Sequence, residues 1–146
     1  GARTPLDLTT PDFFRAAHAA LVPGGLYVAN CGDFHSLVAT RTELAGMAEV
    51  FAHVAVIADP PMLKGRRSGN IILLGSDREL PVEGSPEAAA LGRVLLGGAV
   101  PAHYRDERWT RALFDGTPPR ILATAQDRHD HADNPAISLV ETPESR

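Results

Sequence analysis

The chain has 146 residues, 44% of them hydrophobic, enough for one domain with a packed core and too apolar for a disordered segment. Its 14 Lys and Arg against 18 Asp and Glu leave a mildly acidic balance, which gives no basic field for nucleic acid. No apolar run approaches the roughly 18 residues that cross a membrane, and the single cysteine, Cys31, has no internal disulfide partner, so the expected compartment is a reducing cytoplasm.

Gly1-Ala2-Arg3-Thr4-Pro5 carries neither an initiator methionine nor a secretory signal and reads as the middle of a protein. Thr10-Pro11-Asp12-Phe13 then predicts a helix near 11–21: Thr10 caps, Pro11 suits the first helical position, and Asp12 complements the helix dipole. Phe13, Ala17, Ala20 and Leu21 lie on one face of it. Pro23-Gly24-Gly25 ends the helix and turns the chain. Leu26 to Asn30 predicts a short buried strand. A helix–turn–strand step of this kind builds a doubly wound α/β sheet, whose ligands bind beyond the carboxyl ends of the strands. Asn30, Cys31, Gly32 and Asp33 fall at that rim.

A second helix is expected near 34–50, capped by Asp33 or Ser36, with Leu37, Val38, Leu44, Met47, Ala48 and Phe51 repeating on one side. Strands are expected near 53–58 and 69–75, separated by Asp59-Pro60-Pro61 and a basic turn holding Lys64, Arg66 and Arg67. The first two strands should run parallel and the third antiparallel in one sheet, because a parallel pair needs a covering helix and the last two are joined by a short link. Beyond Asp77 a helix is expected from Glu83-Gly84-Ser85-Pro86 to about Leu96, then a shorter amphipathic one from Arg105 to Phe114. After Arg128 the sequence is polar and unpatterned. No glycine-rich G-x-G loop occurs anywhere, so the cofactor-binding half of such a fold is missing.

Several residues admit two readings. Asp33 is either a helix cap or a group that orients an amine or a ribose. Arg66 and Arg67 either form a solvated turn or grip a carboxylate or phosphate. Cys31 is a thiol at a strand end, but the sequence sets no histidine beside it, which favours packing over nucleophilic chemistry. Tyr27, Trp109 and Phe114 read as packing residues. His129, Asp130, His131 and Asp133 are metal-ligand types in a polar tail, where a supporting shell is not evident, and no metal site is assigned.

Three segments resemble the spermidine synthase family, which has a class I methyltransferase-like fold, and more narrowly its actinobacterial spermidine synthase-like members. They are Leu8-Thr9-Thr10-Pro11-Asp12-Phe13-Phe14, the run Leu21 to Asn30, and Gly65-Arg66-Arg67-Ser68-Gly69-Asn70 continuing through Ile71-Ile72-Leu73-Leu74 into Ser76-Asp77. The resemblance covers about residues 1–80. It implies an α/β fold, the second half of a doubly wound Rossmann-like sheet, with residues 81–146 as a helical extension and polar tail. It also implies that the glycine-rich cofactor loop, the ribose-binding acid and the catalytic aspartate lie upstream, so no catalytic residue is assigned here.

By the same resemblance, Pro5 and Leu8 match the end of a loop beside the cofactor, S-adenosylmethionine or its decarboxylated form. Asn30 and Asp33 match the acceptor side, where family members place a polyamine-facing polar residue. The family's aromatic, tyrosine-containing segment before the last strand is replaced by Lys64-Gly65-Arg66-Arg67-Ser68, so putrescine is expected to bind poorly. The implied activity is aminopropyl or methyl transfer to an amine or other small acceptor. The alternatives are a non-catalytic spermidine synthase-like binding protein and a half-domain that needs a partner chain. The expected partners are a small acceptor, a missing amino-terminal segment or second chain, and a second copy in a homodimer.

Overall fold

The computed structural model describes residues 3–122; the His129, Asp130, His131 and Asp133 group lies outside them. A 3-10 turn over Leu6–Thr9 leads into α1, Pro11–Ala20. Thr10 is extended, and its hydroxyl accepts a hydrogen bond from the Phe13 amide at 3.3 Å, so the cap forms as expected. Gly24, at a φ of 70°, makes the left-handed turn that brings the chain back into β1, Leu26–Asp33.

β1 runs three residues beyond the expected end at Asn30. Its partner β3, Gly69–Ser76, supplies a matching ladder from Leu26 opposite Ser76 to Asp33 opposite Gly69. Helix α2, Val38–Ala48, is shorter than expected at both ends. Phe34 to Leu37 form a turn, closed by the Leu37 amide on the Phe34 carbonyl, and Leu37 at the helix start has a φ of 54°. A left-handed leucine costs about 1–2 kcal/mol, offset here by sinking its side chain into the core. Val38, expected on the apolar side, is instead exposed, because the late helix start turns it outward.

β2, His53–Ala58, is followed by a single helical turn, α3, Pro60–Leu63, where the sequence suggested only a linker. β3 is antiparallel to both β1 and β2, so β1 and β2 run parallel to each other, as expected. Helix α4, Pro86–Leu96, leads to a short strand not legible beforehand, β4, His103–Arg105, and then to α5, Glu107–Phe114. β4 adds to the free side of β2, giving a sheet of order β1-β3-β2-β4.

One face of the sheet carries the core. Phe14, Leu44, Met47, Phe51, Val54, Val56, Ile71 and Leu73 are fully buried there, between the sheet and α1 and α2. Tyr27 stacks on Phe51 with ring centroids 5.5 Å apart, and Trp109, Leu113 and Phe114 of α5 pack against the same cluster. The opposite face is poorly covered at β1, where Leu26 and Val28 remain 49% and 55% exposed. β1 is also an edge strand among the described residues, since β3 alone pairs with it. Among those residues no helix is long and apolar enough to cross a membrane.

Candidate functional site

The carboxyl ends of β1 and β2 and the start of β3 meet along one rim. Asn30 and Asp33, three residues apart on β1, point to opposite faces of the sheet. Asn30 is exposed and lies directly across from Ile72 on the open face. Asp33 is only 7% exposed on the helical face. Its carboxylate accepts from the Phe34 amide at 2.8 Å and from the Thr40 amide at 2.7 Å. It therefore caps α2 from the preceding strand, complementing the positive end of the helix, while Leu37 at the N-cap position makes no side-chain cap. Of the two expected caps, Asp33 makes the bond.

Beneath Asp33 lies a buried polar group in which Cys31 meets Thr40 and Glu43, two residues the sequence did not single out. The Cys31 thiol donates to Glu43 Oε1 at 3.5 Å and lies 3.7 Å from the Thr40 hydroxyl. Burial pushes the Glu43 carboxyl above its ordinary range, with the neighbouring Asp33 charge acting in the same direction. Burial and the nearby Glu43 push the Cys31 thiol up from 9.0 to about 12. The only hint in the sequence was Thr40 and Glu43 one turn apart on an apolar helix.

The expected chemical outcome is an inert cysteine. At about pH 8 the native thiol should alkylate about a thousandfold more slowly than an unfolded one, from its thiolate fraction alone. Any stability carried by the neutral thiol is intact below pH 9 and declines as pH rises toward 12. Intact mass after iodoacetamide treatment, with and without denaturant, checks this; rapid native labelling would make Cys31 an accessible nucleophile.

The amino-terminal segment borders the same end of β1. Thr9 is buried and bonds back to the Leu6 carbonyl at 2.7 Å, which fixes the 3-10 turn. Pro5 and Leu8 stay exposed, Leu8 at 40%, with Leu6 beside them. Arg3 places its guanidinium 6.0 Å from the ring centre of Phe34, itself an exposed aromatic just past β1. These apolar groups at a strand terminus provide a surface suited to a flat, weakly polar ligand.

Across the rim is a cleft of about 380 Å³. Ile57, Ile72 and Met62 contribute apolar lining, and Val100 and Ala102 add another apolar wall. Asp59, Arg67 and Asn70 add the charged and polar groups. Asp59 caps the α3 turn, accepting from the Met62 amide at 2.8 Å, and pairs with Arg67 through its other oxygen. Gly65 positions this basic turn: its φ is 63°, and a Cβ there would sit 2.7 Å from the His35 carbonyl oxygen. Lys64 and Arg66 are exposed on the same turn. The sequence Asp59-Pro60-Pro61 was legible as a stop; that Asp59 would hold Arg67 was not, because the pair closes a turn of unpredictable path.

No protein-family model matches the chain, and no curated protein matches it. A solved structure does. The chain is 52% identical to a probable spermidine synthase from Corynebacterium glutamicum, over 98% of this chain, with a TM-score of 0.81. This is a spermidine synthase-like chain. It spans about half that relative's length, 47%, and its mixed α/β sheet matches a spermidine synthase-like half-domain. Among the described residues, no group of three or more His, Cys, Asp and Glu is arranged to hold a metal ion.

Proposed function

We propose that this chain forms the acceptor-side half of a spermidine synthase-like transferase. The observation that carries the reading is the 52% identity to a probable spermidine synthase over nearly the whole chain. The group to be transferred would come from decarboxylated S-adenosylmethionine, as an aminopropyl unit, or from S-adenosylmethionine itself, as a methyl. The residues present suit the adenine side of such a cofactor: Pro5, Leu6, Leu8 and Phe34 form an exposed apolar border at the end of β1. Pro5 and Leu8 would cover the base, and Asn30, on the open face of the sheet, would receive the acceptor. Asp33 would support that site by holding the β1–α2 turn, with its carboxylate already committed to two amides. A carboxylate supplied from outside this chain would take the proton of the attacking amine.

The exposed apolar face and free edge of β1 support a further part of the reading. Additional polypeptide pairs with β1 and covers Leu26 and Val28, from a preceding segment or from a partner chain. A second copy, in a homodimer, belongs to the same proposal.

Calorimetry on the natural-length protein with each cofactor, followed by a transfer assay, tests the function. One cofactor should bind, and Leu8→Ala should weaken it about fivefold, the value of roughly 40 Å² of apolar area at about 25 cal/mol per Å². Binding of neither cofactor would overturn the transferase reading. It would leave a non-catalytic spermidine synthase-like binding protein, a reading favoured by the basic turn that replaces an aromatic acceptor segment.

A further inference from the structure

We infer that the cleft between the end of β2 and the start of β3 takes a small aliphatic ligand bearing a carboxylate, of the ω-amino acid type, and discriminates against diamines. The inference deepens the proposed function and rests on its placing the acceptor at this rim. Three features carry it.

The first is size and lining. A volume of about 380 Å³ lies at the low end for ligand pockets, and the Ile57, Ile72, Met62 and Val100 lining suits a short hydrocarbon chain.

The second is charge. Asp59 is the acidic residue lining the cleft, and both its oxygens are engaged, one by the Met62 amide and one by Arg67. A ligand ammonium therefore finds no free carboxylate there, and Lys64, Arg66 and Arg67 on the adjoining turn repel it. Arg67 has the opposite standing. Its side chain is 58% exposed and pairs with Asp59 through one terminal nitrogen, while a guanidinium carries five N–H donors. Arg67 lines the cleft, and the donors that Asp59 does not take keep the fork geometry that matches a carboxylate.

The third is polarity at the far end. Asn30 stands directly across from Ile72, whose side chain lines the cleft, and Asn70 lines it two residues earlier on β3. Adjacent strands are about 4.8 Å apart, so a ligand lying across them can place an amine near the Asn30 amide while its carboxylate reaches Arg67. A hydrophobic body between a carbonyl acceptor and a guanidinium is the complement of an ω-amino acid; putrescine would bring a second ammonium to Arg67.

The test is calorimetry on the natural-length protein without cofactor, using γ-aminobutyrate, butyrate and putrescine as probes. γ-Aminobutyrate should bind at least about tenfold more tightly than putrescine, with butyrate between them. Arg67→Gln should lose about tenfold in γ-aminobutyrate affinity, and Arg67→Lys should lose less, since it keeps the charge without the fork. Asp59→Asn, which retains a capping side chain and frees Arg67, should tighten the carboxylate probes. Melting curves confirm that each variant is folded, and the lysine variant serves if the glutamine one is not. Equal or tighter putrescine binding, an unchanged Arg67→Gln affinity, or no binding of any probe would overturn the inference. Carboxylate binding in a protein that takes up neither cofactor would leave it standing while the transferase reading fails.

Discussion

Replacing Phe51 by alanine is expected to destabilise the protein by about 3–5 kcal/mol, the usual cost of emptying a buried aromatic site. Phe51 is 1% exposed, stacks on Tyr27 at 5.5 Å, and meets His18 edge-on. It also fills the space above Gly75 on β3. A Cβ added at Gly75 would lie 2.8 Å from the Phe51 ring and 3.1 Å from Met47. Gly75→Ala alone should therefore cost about 1–3 kcal/mol through overpacking. In the Phe51→Ala background the same methyl enters vacated space, so the two changes should be non-additive by more than about 0.5 kcal/mol. Urea denaturation of the four proteins gives the coupling directly. Simple additivity would mean that β3 and Phe51 are not in contact, which would contradict the packing of the helical layer on the sheet.

Asp33→Ala is expected to cost about 2–5 kcal/mol, because two amides, Phe34 and Thr40, lose their acceptor and Thr40 is fully buried. Asp33→Asn should cost less, since its carbonyl oxygen can still cap one of them. The effect should be present without any ligand. This separates a cap from a ligand-orienting group: unchanged stability together with lost acceptor binding would assign Asp33 to the ligand instead. A loss of both would mean that the β1–α2 turn, once uncapped, no longer holds Asn30 and Phe34 in place at the rim.

Much of this architecture was legible in the residues. Thr10-Pro11-Asp12 announced α1 because capping and the fixed φ of proline are local effects, settled within four residues. The apolar runs at Leu26, Val54 and Ile71 announced three strands of one sheet, since a short apolar run between turn signals has few other ways to be buried. The resemblance to spermidine synthases was carried by short segments of the first 80 residues, and the similarity to a solved relative extends over 98% of the chain.

What the residues did not disclose depends on partners distant in sequence. β1 extends to Asp33 because Asn70 and Gly69 arrive opposite it, and β4 is a strand because its three residues lie along β2. Three residues carry too little periodicity to announce themselves. The buried Cys31–Glu43 pair and the Asp59–Arg67 pair follow the same logic: nothing in a carboxylate's own neighbourhood says which distant group will meet it. Local chemistry determined the helix starts, the turns and the strand cores of this protein, where the controlling interactions span a few residues. Tertiary structure alone decided that Asn30 faces the open side of the sheet and Asp33 the buried helix. It also decided that a basic turn closes on an acidic cap, because those choices depend on how the sheet brings separate segments together.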